Sequence, residues 1–335
     1  MRRILTSIVF IVALSNLLFA QKWNGWILQA EQEVLQTNHA DAIKATSANM
    51  VVLTPIALAS DMIPRLEWNT DWQWVGERDT GIISAVQVLK QQGLRCAIKP
   101  RLAMEGPGAV DQLEMLGPND WKVWWGDYSA YILHFAHIAD SLDVVCFVIG
   151  DALSSTMKPL APEWETLIDS IRSFYDGTLT YAAHSDRYEQ VPFWDKLDVI
   201  GINAHYRCDS SETPDTRILE ACFSEQRNAL AEFSNSTGKP VLFTSFGFRS
   251  VDQTAWESDA MPSIQHELFL HTNPLGQVHA FRSFFKVFWK EEWLRGGWIY
   301  KWEPRQPIFA TTGNGYTPQG KAALDVIKAW FGQFQ

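Results

Sequence analysis

DVVCFVIG (143–150), GTLTYAAH (177–184) and DVIGINAHY (198–206) are three short runs rich in β-branched and aromatic residues, each ending in glycine, histidine or tyrosine. Such runs read as strands, here Asp143–Gly150, Leu179–His184 and Val199–Tyr206. A helical pattern over Pro162–Tyr175 separates the first two, and a short connection around Phe193–Lys196 leads into the third. Working outward, the alternation continues to both ends. Strands are predicted at Trp26–Gln29, Asn49–Thr54 and Leu94–Pro100 on one side, and at Pro240–Phe248 and Gly297–Trp302 on the other. Helices are predicted at Asp41–Ser47, Thr80–Gln92, Asp120–Asp140, Asp215–Asn235, Leu275–Trp293 and Pro318–Phe331. Eight strands alternating with helices predict an α/β fold, a (β/α)8 TIM barrel, over an open doubly wound sheet.

Composition agrees with one large folded unit. The 335 residues are 47% hydrophobic and 20% charged, which excludes disorder, coiled coil and collagen-like repeats. A net charge of −10 argues against nucleic acid and anionic membrane as partners. The count of 16 Trp is high and raises the question of where they sit.

Met1-Arg2-Arg3, an apolar run from Ile4 to Phe19 and a small residue at Ala20 read as a signal peptide over residues 1–20. This predicts an exported protein, periplasmic, at the cell surface or extracellular, with no integral span after cleavage. Residues 21–335 then form a single domain, because no linker, repeat or low-complexity tract divides them. Cys208 and Cys222 bracket one polar stretch and could bridge in an oxidising compartment. Cys96 and Cys146 lie in apolar runs and read as buried thiols.

In such a barrel, function sits in the loops that follow the strands. This selects Gln29 and Glu31, Lys99 and Arg101, Asp151 and Ala152, His184, then Asn203, His205 and Tyr206, then Ser245, and finally Trp302 and Glu303. Trp68, Trp72 and Trp74 fall in the loop after the second strand, and Trp121, Trp124 and Trp125 near a helix start. Indoles beside polar groups at that face would suit a sugar ring, whose C–H face stacks on an aromatic while its hydroxyls find donors and acceptors. The alternative is that they fill local hydrophobic cores.

The runs LRCAIKPRL (94–102), FVIGDALSS (147–155), GTLTYAAH (177–184), FWDKLDVIGINAHY (193–206) and GKPVLFTSFGF (238–248) together resemble glycoside hydrolase family 113. This is a mannanase-type branch of the retaining (β/α)8 glycosidases, and the resemblance covers nearly all of the chain after the leader. It implies a general acid/base Glu in a fourth-strand motif F-x-I-G-T-E-L and a nucleophile Glu in a seventh-strand motif K-P-V-x-x-T-E-x-G-Y. Those positions here hold Ala152 and Ser245. A retaining glycosidase needs two carboxyl groups about 5–5.5 Å apart. Ala152 supplies none, and Ser245 could attack only with a neighbouring base. Asp151 and Glu303 are the two acids that could substitute, although strand alternation turns Asp151 away from its neighbour's face. The resemblance also implies Lys99, Asn203 and Tyr206 as sugar-lining residues, to which strand ends add His184, His205 and Trp302.

His134 and His137, three apart on one helix, lack a third metal ligand, and the chain carries no cofactor motif, glycine-rich phosphate loop or GxSxG elbow. The expectation is an inactive glycosidase relative that binds a polysaccharide or oligosaccharide, or serves with an envelope protein partner. The competing expectation is a mannanase-like hydrolase acting through Asp151 or Glu303.

Overall fold

The computed structural model describes residues 21–60, 63–105, 110–256, 271–305 and 313–335; the leader read over residues 1–20 lies outside them. Among the described residues the strands are β1 (Trp23–Leu28), β2 (Met50–Leu53), β3 (Ile56–Ala59), β4 (Leu66–Trp68), β5 (Arg95–Ile98), β6 (Arg101–Met104), β7 (Cys146–Asp151), β8 (Thr178–His184), β9 (Ile200–Asn203), β10 (Val241–Phe246) and β11 (Leu294–Trp302). Eight of them close a barrel in the order β1-β11-β10-β9-β8-β7-β5-β2, and every neighbouring pair is parallel. Helices at Thr37–Lys44, Asp79–Gln91, Pro118–Ser141, Ala161–Arg172, Thr216–Thr237, Pro274–Phe288 and Ala322–Gln333 lie along the chain between and after the strands. Only short 3-10 turns join β8 to β9, as the brief connection there predicts. No helix among the described residues is long and apolar enough to cross a membrane.

Period-two alternation sorts the strand side chains into two layers. Trp23 and Ile27 of β1, Met50 and Val52 of β2, and Cys146 and Val148 of β7 fill the barrel interior with Leu242 and Trp298. Trp26, Leu28, Val51, Leu53, Phe147 and Ile149 face outward into the layer shared with the helices. Gly25 is required where it stands, because a Cβ would lie 2.5 Å from the Trp298 ring. The helix Thr216–Thr237 starts on Asp215, whose side chain accepts from the Arg217 N–H at 2.7 Å, and stops at Gly238 with φ of 67°.

One layer was not legible in the sequence. β3, β4 and β6 form a separate three-stranded sheet just beyond β2 and β5. Its strands span three or four residues, too few to show a period. Tyr131 anchors this sheet to the helix Pro118–Ser141, its hydroxyl donating to the carbonyls of Pro55 at 2.8 Å and Arg101 at 3.2 Å.

Cys208 and Cys222 are bonded, tying the loop after β9 to the following helix across a separation of 14 residues. Cys96 and Cys146 are buried free thiols, and burial pushes the Cys96 thiol up to about 12. Loop-closure entropy for this spacing gives the bridge about 3 kcal/mol. Replacing both Cys208 and Cys222 with serine should lower the urea-unfolding free energy by about that amount. A loss below about 1 kcal/mol would show that the reduced chain is already ordered there.

Candidate functional site

A cavity of about 220 Å³ opens at the C-terminal ends of the barrel strands. Ile27, Thr54, Lys99, Asp151, Ala152, His184, Asn203, His205, Ser245 and Tyr300 bring a lining side chain from every barrel strand or the residues just after it, and Arg101 and Tyr316 complete the wall. Of the residues read from the sequence, Lys99, Arg101, Asp151, Ala152, His184, Asn203, His205 and Ser245 therefore meet around one space. Gln29 and Glu31 lie instead in a separate narrow cleft with Glu33 and Arg305.

Lys99 organises the floor. Its side chain is 3% exposed and its ammonium lies 3.1 Å from Asp151 Oδ1. It also donates to Asn203 Oδ1 at 3.0 Å and to the Thr244 carbonyl at 3.3 Å. Asn203 Nδ2 donates in turn to Asp151 Oδ1 at 2.8 Å, and Thr244 Oγ1 donates to Asn203 Oδ1 at 3.0 Å. Arg101 Nε faces the other carboxylate oxygen at 3.5 Å. Burial alone would raise the Asp151 carboxyl, but Lys99 and Arg101, helped by Asn203, hold it below the usual carboxylate range. Burial pulls the Lys99 ammonium below its ordinary value against the opposing pull of Asp151.

Asp151 reaches this network against the alternation expected of its strand. β7 and β8 run in register through Val148↔Thr180, and the next pair is Asp151↔Ala182. β7 advances three residues while β8 advances two, so one extra residue in β7 reverses the facing of everything after it. Ala152 follows with φ of 56°, a left-handed backbone that an alanine adopts only under constraint. Its N–H donates to the Ala182 carbonyl at 2.9 Å. Asp151 and Ala152 thus both line the cavity.

On the opposite wall, Ser245 Oγ lies 3.2 Å from His205 Nε2. His184 Nδ1 sits 3.8 Å from Asp186 Oδ1. Tyr300 and Tyr316 meet edge to face with ring centroids 5.2 Å apart.

Besides Gln29 and Glu31, three sequence-read residues do not reach the cavity. Trp302 is 4% exposed and packs against Trp26 at 5.1 Å between ring centroids. A register shift explains it: Ile27 pairs with Tyr300 but Leu28 with Trp302, so one extra residue in β11 turns the indole outward into the core. Tyr206 is buried beside Phe223 and Phe288. Glu303 pairs with Lys301 at 3.1 Å, and Gln319 brackets its backbone at 2.8 and 2.9 Å.

The tryptophans are mostly core. Trp124 is buried and stacked on Tyr128, Trp125 packs on Trp164, and Trp68 sits against Tyr131 and His134. Trp72 and Trp74 are exposed, and no tryptophan lines the cavity among the described residues. His134 pairs with Asp79 at 2.9 Å, and His137 stacks on Phe174. No cluster of three metal-ligating side chains occurs among the described residues. Ile27, Thr54, Tyr300 and Tyr316 are the lining residues the sequence reading missed. Tyr300 was accessible to it, being two residues from the inward-facing Trp298 on the same strand.

The sequence profile of Glycoside Hydrolase Family 113 matches residues 25–321. The chain belongs to glycoside hydrolase family 113. Its fold is similar to that of the GH113 β-mannanase from Alicyclobacillus acidocaldarius in complex with ManMIm, at a TM-score of 0.80 and 20% identity, covering 94% of this chain and 98% of that one. A second GH113 β-1,4-mannanase, also solved as a complex, gives 0.78 and 21% identity over 93% of this chain and 99% of the other. No curated protein matches the chain. Within the family-113 barrel, the two positions that the motif resemblance assigns to the catalytic glutamates, Ala152 and Ser245, both face the cavity.

Proposed function

We propose that this family-113 protein is exported, takes a polysaccharide or oligosaccharide into the barrel-mouth cavity, and does not cleave it. One observation carries the reading. Asp151 is the sole carboxylate among the described lining residues, and Lys99, Arg101 and Asn203 already engage it. Retaining hydrolysis needs one carboxyl to attack the anomeric carbon and a second to protonate the leaving oxygen. A carboxylate held ionised by two cations is a poor proton donor, and Glu303 is tied to Lys301 outside the cavity lining. What favours sugar binding is the residual chemistry: hydroxyl, amide and imidazole groups on Ser245, Asn203, His184 and His205, with Tyr300 and Tyr316 as aromatic walls. Export is supported by the leader sequence and by the Cys208–Cys222 bridge.

The test pairs an assay with a titration. Incubation with β-mannans and β-glucans should release no reducing ends above buffer, while calorimetric titration with the matching oligosaccharides should give a saturable heat. Robust turnover that Asp151→Asn abolishes would overturn the inactive reading in favour of a hydrolase. A saturable signal with no glycan would leave the envelope-partner role in its place.

A further inference from the structure

The charge inside the cavity points to a narrower ligand class, and the argument rests on the sugar-binding reading above. A pair of catalytic glutamates would make the barrel mouth acidic; here Ala152 and Ser245 stand in their places while the cations remain. Among the described lining residues the fixed charges are those of Lys99, Arg101 and Asp151. This leaves one positive charge in excess, inside a chain whose net charge is −10. The two cations are not equivalent. Lys99 is buried, with its ammonium among Asp151, Asn203 and the Thr244 carbonyl. Arg101 is 38% exposed at the side chain, meets Asp151 through Nε at 3.5 Å and also shares a hydrogen bond with Tyr300, a neutral partner. A guanidinium is a planar fork that matches a carboxylate with two parallel N–H···O bonds. Asp186, two residues beyond His184, is 73% exposed and therefore well screened.

We infer that the glycan bound at the barrel mouth carries a carboxylate, as a uronic acid unit does, and that Arg101 receives it. Ser245, His205 and His184 are then left for the uncharged hydroxyls. Uncharged mannan would offer no counter-charge to the one positive charge in excess among the lining residues. The carboxylate in place of a sugar hydroxymethyl answers it.

The probes are β-1,4-linked trimannuronate and β-1,4-mannotriose, which differ chiefly in that one group, titrated calorimetrically into the full-length secreted protein. Trimannuronate should bind about ten-fold tighter at low ionic strength, and the margin should shrink as salt is raised to about 0.5 M. Arg101→Gln should bring trimannuronate to within about three-fold of mannotriose, both measured on that variant, while Arg101→Lys should keep part of the preference. Circular dichroism confirms that each variant is folded, and the salt response of the unaltered protein tests the charge argument without any variant. Mannotriose binding as tightly as trimannuronate would overturn the uronate inference and leave the sugar-binding reading standing. A preference that survives in Arg101→Gln would overturn the assignment to Arg101. Binding of neither trisaccharide would overturn both the inference and the reading beneath it.

Discussion

Asp151→Ala is expected to destabilise the protein by about 3–5 kcal/mol, the cost of leaving a buried charge without its partner. The substitution strands Lys99, which has a nearly inaccessible side chain 3.1 Å from the lost carboxylate. The two acceptors that remain, Asn203 Oδ1 and the Thr244 carbonyl, are neutral. A buried ammonium without a counter-ion must either remain desolvated or give up its proton, and both are unfavourable. Removing the pair together should be far milder. Lys99→Met with Asp151→Leu replaces two charges by apolar groups of similar bulk, an exchange that is often near neutral. Urea unfolding of the two single variants and the double variant gives the coupling directly. A single-variant loss below about 1 kcal/mol would mean that water reaches Lys99.

The same network sets an acid limit. The Asp151 carboxyl is held below the usual carboxylate range by Lys99 and Arg101 against the raising effect of burial. A carboxyl whose folded-state value is depressed contributes stability at pH above its unfolded value, and loses it as pH falls toward the folded value. Stability should therefore decline below about pH 4 in the unaltered protein, and the part of that decline due to Asp151 should be missing in Asp151→Ala.

The second large effect concerns an aromatic that a strand-end position would have placed in the ligand site. Trp302→Ala should destabilise by about 3–5 kcal/mol, the range for deleting a large aromatic from a core, and should leave oligosaccharide affinity within about two-fold. The indole is buried against Trp26, which is itself buried and reaches Phe331 of the last helix at 6.1 Å. Truncation opens a hole in the layer between barrel and helices, on the far side of the strand from the cavity. Urea unfolding and calorimetric titration of the one variant separate these outcomes. Lost affinity at unchanged stability would place Trp302 in the site after all.

Both variants turn on the same physical point. The barrel was legible because parallel strands buried against helices leave runs such as DVVCFVIG and DVIGINAHY separated by helical patterns, and that spacing is local. The Cys208–Cys222 pairing was legible because a short polar segment brings its ends together cheaply. The candidate positions Lys99, His184, Asn203, His205 and Ser245 were legible because a strand end in a barrel points to one face. Arg101, just beyond the β5 end, was legible only as a position; its Nε contact with Asp151 depends on the added residue in β7.

By itself the sequence determined the number and order of the barrel strands, the mouth at which they converge, and the absence of glutamate at the two motif positions. Tertiary structure alone decided which side chains turn toward that mouth. One extra residue in β7 brings Asp151 inward to Lys99, and one in β11 sends Trp302 outward to Trp26. A strand alternates with period two, so a single inserted residue reverses every facing beyond it. Whether the insertion occurs is fixed by pairing with a strand distant in sequence, Ala182 in the first case and Leu28 in the second.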